Sequence, residues 1–370
     1  MSKAAELAKW GEVSTNGQVS GRRNIVINGG MNVAQRATSA TGLGDDNDEN
    51  YPTVDRFEIN GNAGAGRFTM TQEAVTDLPG FPECIKLDCT TADTSIAAAE
   101  RLFIQTKIEG QDLQATGTGT ADAKPITLSF YAKASASFKF VAALLNVDND
   151  RYAGSTFDVT TSWQRFIITF PADVDDGSSP HANDNTRGLD VRFFLHAGAN
   201  YTSGTLSSTF ANAVAANTYD SNAGSFYSST DNNFFITGVQ LEVGSVATPF
   251  EHRSFGEELA LCQRYYQLSN KGETVNEAVG NGLANAESAT GTELHWNFQT
   301  NMRANPTVAK VGAFLVRENG SNKTVSSITA ITYSKDRVWM TLVISGGTDE
   351  ATSRVYTSGT ETALTADAEL

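Results

Sequence analysis

The sequence is poor in the residues that most often carry chemistry. Its three cysteines, Cys84, Cys89 and Cys262, are too few for a disulfide framework. Cys84 and Cys89 lack C-x-x-C spacing and no histidine cluster accompanies them, so buried free thiols are expected. The four histidines, His181, His196, His252 and His295, stand in no HExxH or other metal-binding spacing. There is no GxSxG, no P-loop and no GxGxxG opening a helix; "GNAGAG" falls in a turn between strands. Basic runs are missing. Lys+Arg number 27 against 42 Asp+Glu, a net charge of −15, which argues against a nucleic-acid partner, because phosphates attract Lys/Arg patches. No stretch approaches the ~20 apolar residues of a membrane span. The opening "MSKAAELAKWGEVS" has no apolar core of signal-peptide length, so folding in a cytoplasm without membrane insertion is expected.

What is present points to strands and turns. The 370 residues suffice for two domains, 40% are hydrophobic, only 19% are charged, and there are 32 glycines. Strand-like runs recur as "NIVI" (24–27), "VDRFEI" (54–59), "RFTMTQE" (67–73), "CIKLD" (84–88) and "RLFIQTKI" (101–108). "ITLSFYAK" (126–133), "FKFVAALLN" (138–146), "QRFIITF" (164–170), "VRFFLH" (191–196) and "FFITGVQLE" (234–242) follow. Period-two alternation between Gly/Asn/Asp/Pro turns predicts an all-β fold, an antiparallel jelly-roll sandwich with long loops. Residues 3–10 suit a short helix with Leu7 and Trp10 on one face, and 11–21 read as a linker. A polar stretch after Gln267 gives way to "LHWNFQTNMRANPTVAKV", "TVSSITAITYS" and "DRVWMTLVI", a smaller C-terminal β-domain. The expected division is therefore 1–23 attachment segment and linker, 24–251 jelly roll, 252–268 connecting helix and 269–370 C-terminal domain.

Two groups of side chains are candidates for binding. The acidic loops "GDDNDEN" (44–50), "DNDRY" (148–152) and "DVDDGSS" (173–179) offer oxygens to Ca2+, although neither of the last two matches an EF-hand loop, and solvated turns are the favoured reading. No cofactor is otherwise expected. The second group is the long segment 201–230, which carries a single charge, Asp220, among aromatic, amide and hydroxyl side chains. Aromatic rings stack on the C–H faces of sugars while polar neighbours bond the hydroxyls. Tyr201, Tyr219, Asp220, Asn222 and Tyr227 are the candidate glycan contacts, with Tyr219 and Tyr227 as stacking rings and Asp220 and Asn222 as hydroxyl partners. The competing reading buries those rings beneath the segment to hold it down. A catalytic carboxylate pair is not identifiable from spacing.

The ordered blocks "RRNIVINGGMNVAQRATS", "DRFEI", "SWQRFIITFPAD", "FFITGVQLEVGSVATPFEHRSFGEELALCQRYYQ", "FQTNMRANPTV" and terminal "TADAEL" resemble tail-fibre and fibre-like virion proteins of marine bacteriophages. Phe57 stands where that family often has Trp. The resemblance implies a carbohydrate-binding-module-like jelly roll with a C-terminal β-domain, in a non-enzymatic virion appendage assembled in the host cytoplasm. It further implies a homotrimer joined to other virion proteins through its N-terminal segment, contacting host cell-surface glycan during adsorption. A ligand-free capsid or tail decoration and a polysaccharide-degrading tailspike are the alternatives. Within the longest block, Gly244 and Pro249 should end the last sandwich strand, and Phe250 should plug the sandwich. Ser254 and Glu257 should form a capping box, with Leu259, Cys262 and Tyr266 on one helical face, packed between domains or against other subunits.

Overall fold

The computed structural model describes residues 23–45, 48–62, 64–174, 179–269, 284–288, 290–347, 352–359 and 362–370. The expected 3–10 helix, the 11–21 linker, most of the polar stretch after Gln267 and parts of two acidic loops lie outside the described residues. The chain divides into two compact units at Glu258/Leu259, with Leu370 counted to the first.

The first unit is an antiparallel two-sheet sandwich. One sheet runs, edge to edge, Ser39–Leu43, Arg67–Ala74, Glu83–Thr91, Asn233–Val243, Ile126–Ala134, Gln164–Phe170. The other runs Ala211–Asn212, Arg151–Val159, Phe138–Asn146, Arg187–Ala197, Arg101–Glu109, Glu58–Asn62, Asp48–Asn50. The period-two pattern sends one face of each strand inward: Leu128, Phe130 and Ala132 from one sheet meet Phe140, Ala142 and Leu144 from the other. Rings dominate this core. Phe130 packs against Phe157, Phe166 and Phe193 at centroid distances of 5.1, 5.2 and 4.9 Å. Phe57 is fully buried in the same core.

The strand Asn233–Val243 changes phase in mid-course, with Phe234 and Ile236 inward and then Val239 and Leu241. The cause is a bulge between Thr237 and Gln240, where Gly238 adopts φ +63°. A Cβ at Gly238 would lie 2.8 Å from the Phe81 ring, so glycine is required there twice over. Phe250 packs on Phe81 (5.1 Å) and His252 (4.9 Å) beside this bulge.

Some expectations are corrected. Asn24–Ile27 form no strand; the Asn24 side chain instead donates to Val239 O and accepts from Val26 and Leu241 N–H, hooking the segment onto the sheet. Val54–Arg56 turn, with Arg56 at φ 70°, and the strand begins at Glu58. Arg151–Val159, hidden in the sequence behind "DNDRY" and small residues, is a full strand. The helix covers Phe255–Gln263, with Glu257 N–H donating to Ser254 Oγ at 3.3 Å. Tyr266 belongs to the strand Tyr266–Leu268, paired with Ala363–Asp367, and so does not share a helical face with Leu259 and Cys262.

The second unit holds a three-stranded sheet (Tyr266–Leu268, Ala363–Asp367, Thr307–Val311) and a seven-stranded one. Its core is aliphatic and thioether-rich, with Leu294, Met302, Val316, Met340 and Leu364 around Trp296 and Phe314. Among the described residues no helix is long and apolar enough to cross a membrane.

Candidate functional site

The outer face of the first unit's seven-stranded sheet is covered by the segment 199–228. Hydrogen bonds fasten the segment to itself and to the sheet. Gly204 N–H donates to Ala216 O (2.8 Å) and Tyr219 N–H to Tyr201 O (3.0 Å). From the sheet, Gly154 N–H reaches Ser207 O (2.8 Å), Tyr152 Oη donates to Thr218 O (2.7 Å) and Arg151 Nη2 to Phe210 O (2.9 Å). A second small core forms beneath, from Phe103, Val141, Ala143, Tyr152 and Phe194 of the sheet and Tyr219 of the segment. The length that marked this segment as unusual is thus spent on an ordered cover.

That burial corrects the choice of stacking rings. Tyr219 is 2% exposed; its ring leans on Phe194 (6.1 Å) and its Oη donates to Gly224 O at 2.6 Å. Tyr227, also 2% exposed, packs against Phe68, Phe226 and His196. Room for its ring comes from Gly66, where a Cβ would stand 2.4 Å from the ring carbons. Neither ring has a face open to a sugar. Asp220 and Asn222 form a turn in which Asp220 Oδ1 accepts from Asn222 N–H at 2.6 Å, and Asn222 is exposed.

Tyr201 is placed differently. It is half-buried at the wall of a cleft of about 190 Å3 between the cover and the sheet. Arg101, Phe103 and Arg192 rise from the strands below, and Val214 and Thr218 close it from the segment. The Arg101 guanidinium lies over the Tyr201 ring (5.6 Å) and the Phe103 ring (5.7 Å), and Arg192 lies over Phe103 at 4.9 Å. Arg101 Nη1 donates to Tyr201 Oη (3.1 Å) and its Nε to Asn60 Oδ1 (3.0 Å). Arg192 donates to Gln105 Oε1 (3.0 Å) and to Asp190 Oδ2 (2.7 Å). The strand "RLFIQTKI" carried the signal for this site. Its outward positions, Arg101, Phe103, Gln105 and Lys107, set one aromatic ring among polar residues.

Further along the same face Lys107 pairs with Glu58 at 2.8 Å, both buried; burial nevertheless pushes the Glu58 carboxyl above its usual range. A larger hollow of about 510 Å3 lies between the strands Arg151–Val159 and Gln164–Phe170. Its one charged wall residue is Asp158, beside the hydroxyls of Ser155, Thr156 and Thr169, and no guanidinium or ammonium lines it, so the smaller cleft is the candidate site.

A buried chain of polar groups also escaped the sequence reading. His196 Nδ1 lies 2.7 Å from Ser225 Oγ and Nε2 lies 3.0 Å from Glu100 Oε2. The order Ser–His–Glu invites a hydrolase reading, but each member has structural employment. Ser225 Oγ caps the turn Phe226–Ser228 by accepting from Tyr227 N–H, and Glu100 Oε1 accepts from Ala97 N–H. The Tyr227 ring closes over His196 at 5.1 Å. Burial lowers the His196 pKa against the opposing pull of Glu100, so the ring stays neutral in the fold.

The acidic loops are engaged by side chains of the protein itself: Asp173 pairs with Arg151 (2.8 Å), and Asp148 Oδ2 lies 2.9 Å from His181 Nδ1. Among the described residues no three His, Cys, Asp or Glu side chains converge as a metal would require. All three cysteines are buried and stand outside any disulfide; burial pushes the Cys84 thiol up to about 12 and Cys89 to about 11.

No protein-family model matches the chain, and no curated protein is similar to it. The solved structures to which the chain is similar include carbohydrate-binding modules. TmCBM61, in complex with β-1,4-galactotriose, is 9% identical, with 60% of this chain and 99% of that chain covered, at a TM-score of 0.29. The family 11 module of cellulosomal cellulase Lic26A-Cel5E of Clostridium thermocellum is 12% identical (58% and 98% covered, TM-score 0.28). The N-terminal cellulose-binding domain of Cellulomonas fimi β-1,4-glucanase C is 10% identical (58% and 100% covered, TM-score 0.26).

Proposed function

We propose that this chain is a non-catalytic saccharide-binding protein whose first unit receives a sugar in the cleft of Tyr201, Phe103, Arg101 and Arg192. The observation that carries the reading is the cleft itself, where aromatic edges, guanidinium donors and aliphatic walls meet on one sheet face. Its volume lies below the roughly 300 Å3 at which drug-sized pockets begin, which suits one ring or a chain end. A ring contact contributes about 1 kcal/mol, so one site binds weakly. Linked copies raise the apparent affinity through effective concentration.

The sequence resemblance supplies the setting. The protein is a trimeric appendage of a phage virion, attached through residues 1–23 and contacting host-surface glycan. Glycan-array binding and calorimetry on the full chain test the binding reading. The expected result is weak, saturable binding that Tyr201→Ala weakens about fivefold, the loss of ~1 kcal/mol, while the thermal melt is kept. Undiminished binding by Tyr201→Ala moves the site elsewhere, and no binding by either protein removes the reading. Light scattering tests the oligomer separately; a monomer at micromolar concentration contradicts the trimer.

A further inference from the structure

We infer that the saccharide taken by this cleft is anionic, with a carboxylate or sulfate group received by Arg101. The inference rests on the saccharide-binding reading above and adds the ligand's charge to it.

Arg101 stands apart from the arginines around it. Arg187 and Arg192 share the fully buried Asp190 carboxylate, and Arg151 is matched by Asp173 at 2.8 Å. Among the described residues Arg101 has no carboxylate within 4.0 Å, although the chain holds 42 acidic residues against 27 basic ones. Its two protein acceptors, Asn60 Oδ1 and Tyr201 Oη, are neutral. A guanidinium has five N–H donors in a planar fork, so three remain without a protein acceptor. The fork matches the paired oxygens of a carboxylate or sulfate, and such charge-assisted bonds are about twice as strong as neutral ones.

The surroundings reinforce this charge. Arg192 on the other side of Phe103 has half a share in Asp190, so the cleft floor carries more positive than negative charge. Ala213, Val214 and Ala215 form an apolar wall beside it, which weakens dielectric screening. The single carboxylate of the lining, Asp150, is exposed at the strand end, and its backbone carbonyl holds Ala213 N–H. The net charge of −15 does not defeat the contact. At 0.15 M salt the Debye length is about 8 Å, so distant carboxylates are screened while a touching guanidinium is not.

Calorimetry on the full chain with matched probes tests the inference. The probes are oligogalacturonate against its methyl ester, and a sulfated galactan oligosaccharide against its desulfated form. At least one anionic member should bind tenfold or more tightly than its neutral partner. Preference in the first pair alone identifies a uronate, in the second alone a sulfate ester, and in both the shared anion chemistry. Arg101→Met, which keeps the stacked hydrocarbon, should erase the preference, and Arg101→Lys should recover part of it. The wild-type comparison stands without the variants if they fold poorly. Equal binding of charged and neutral partners overturns the inference while the saccharide reading survives, as does a preference that Arg101→Met leaves intact. Absence of binding to these probes and to a full neutral and acidic glycan array overturns both.

Discussion

The two ends of the segment 199–228 use the same residue type for opposite purposes. At the first end Tyr201 stands half-buried at a cleft wall with a guanidinium across its ring. At the other, Tyr219 and Tyr227 vanish beneath the chain that carries them. What lies underneath decides the difference. Tyr227 descends because Gly66 and Gly44 leave space for its ring and hydroxyl, where added Cβ atoms would stand 2.4 Å away in both cases. Tyr201 meets Arg101, a long side chain already held by Asn60, and stops at the surface. A ring's chemistry therefore tells little about its use until the residue below it is known.

The comparison can be broken at either end. The largest effect is expected from Tyr227→Ala, which empties a fully packed site and should cost about 3–5 kcal/mol, read as a lower denaturation midpoint. A loss below about 1 kcal/mol would mean the far end does not anchor the cover. Gly66→Ala attacks the same contact from below. Overpacking of this kind costs about 1–3 kcal/mol, and chemical denaturation would measure it. Next comes acid. His196 has a folded pKa below its ordinary 6.5, so the unfolded chain binds the proton more readily. Its contribution is complete above that value and is lost as pH falls below it. Amide protection factors across 199–228, taken relative to the intrinsic exchange rate at each pH, should fall from pH 7 to 5, and His196→Asn should flatten that response. The smallest change is expected from Tyr201→Ala, with stability altered by less than about 1 kcal/mol in thermal melts. A loss comparable to that of Tyr227→Ala would make both ends anchors and erase the contrast.

The sandwich was legible where alternation was clean. "FKFVAALLN" and "QRFIITF" became the strands Phe138–Asn146 and Gln164–Phe170 with identical bounds. It was illegible where polar side chains replace the ladder, as Asn24 does, or where small residues hide a strand, as around Gly154. The segment 201–230 stood out by length and composition, and Tyr201 within it does line the cleft. Its partners did not stand out. Arg101 and Arg192 lie on strands about 90 residues apart in the chain and become neighbours only through antiparallel pairing of Arg101–Glu109 with Arg187–Ala197. Burial of Tyr219 and Tyr227 depends on glycines and phenylalanines far away in sequence, which no local pattern encodes.

The strand Asn233–Val243 lies between Glu83–Thr91 and Ile126–Ala134, both of which precede it in the chain by a long interval. During synthesis those two strands wait with their facing edges unmatched. The missing neighbour emerges roughly 110 residues after the second of them, on the order of 5–20 s at ordinary translation rates. For that time the nascent chain presents two hydrogen-bonding edges to any other strand nearby, including those of sister chains on the same message. Yield on expression should thus depend on translation speed and chaperone supply as much as on the stability of the finished fold.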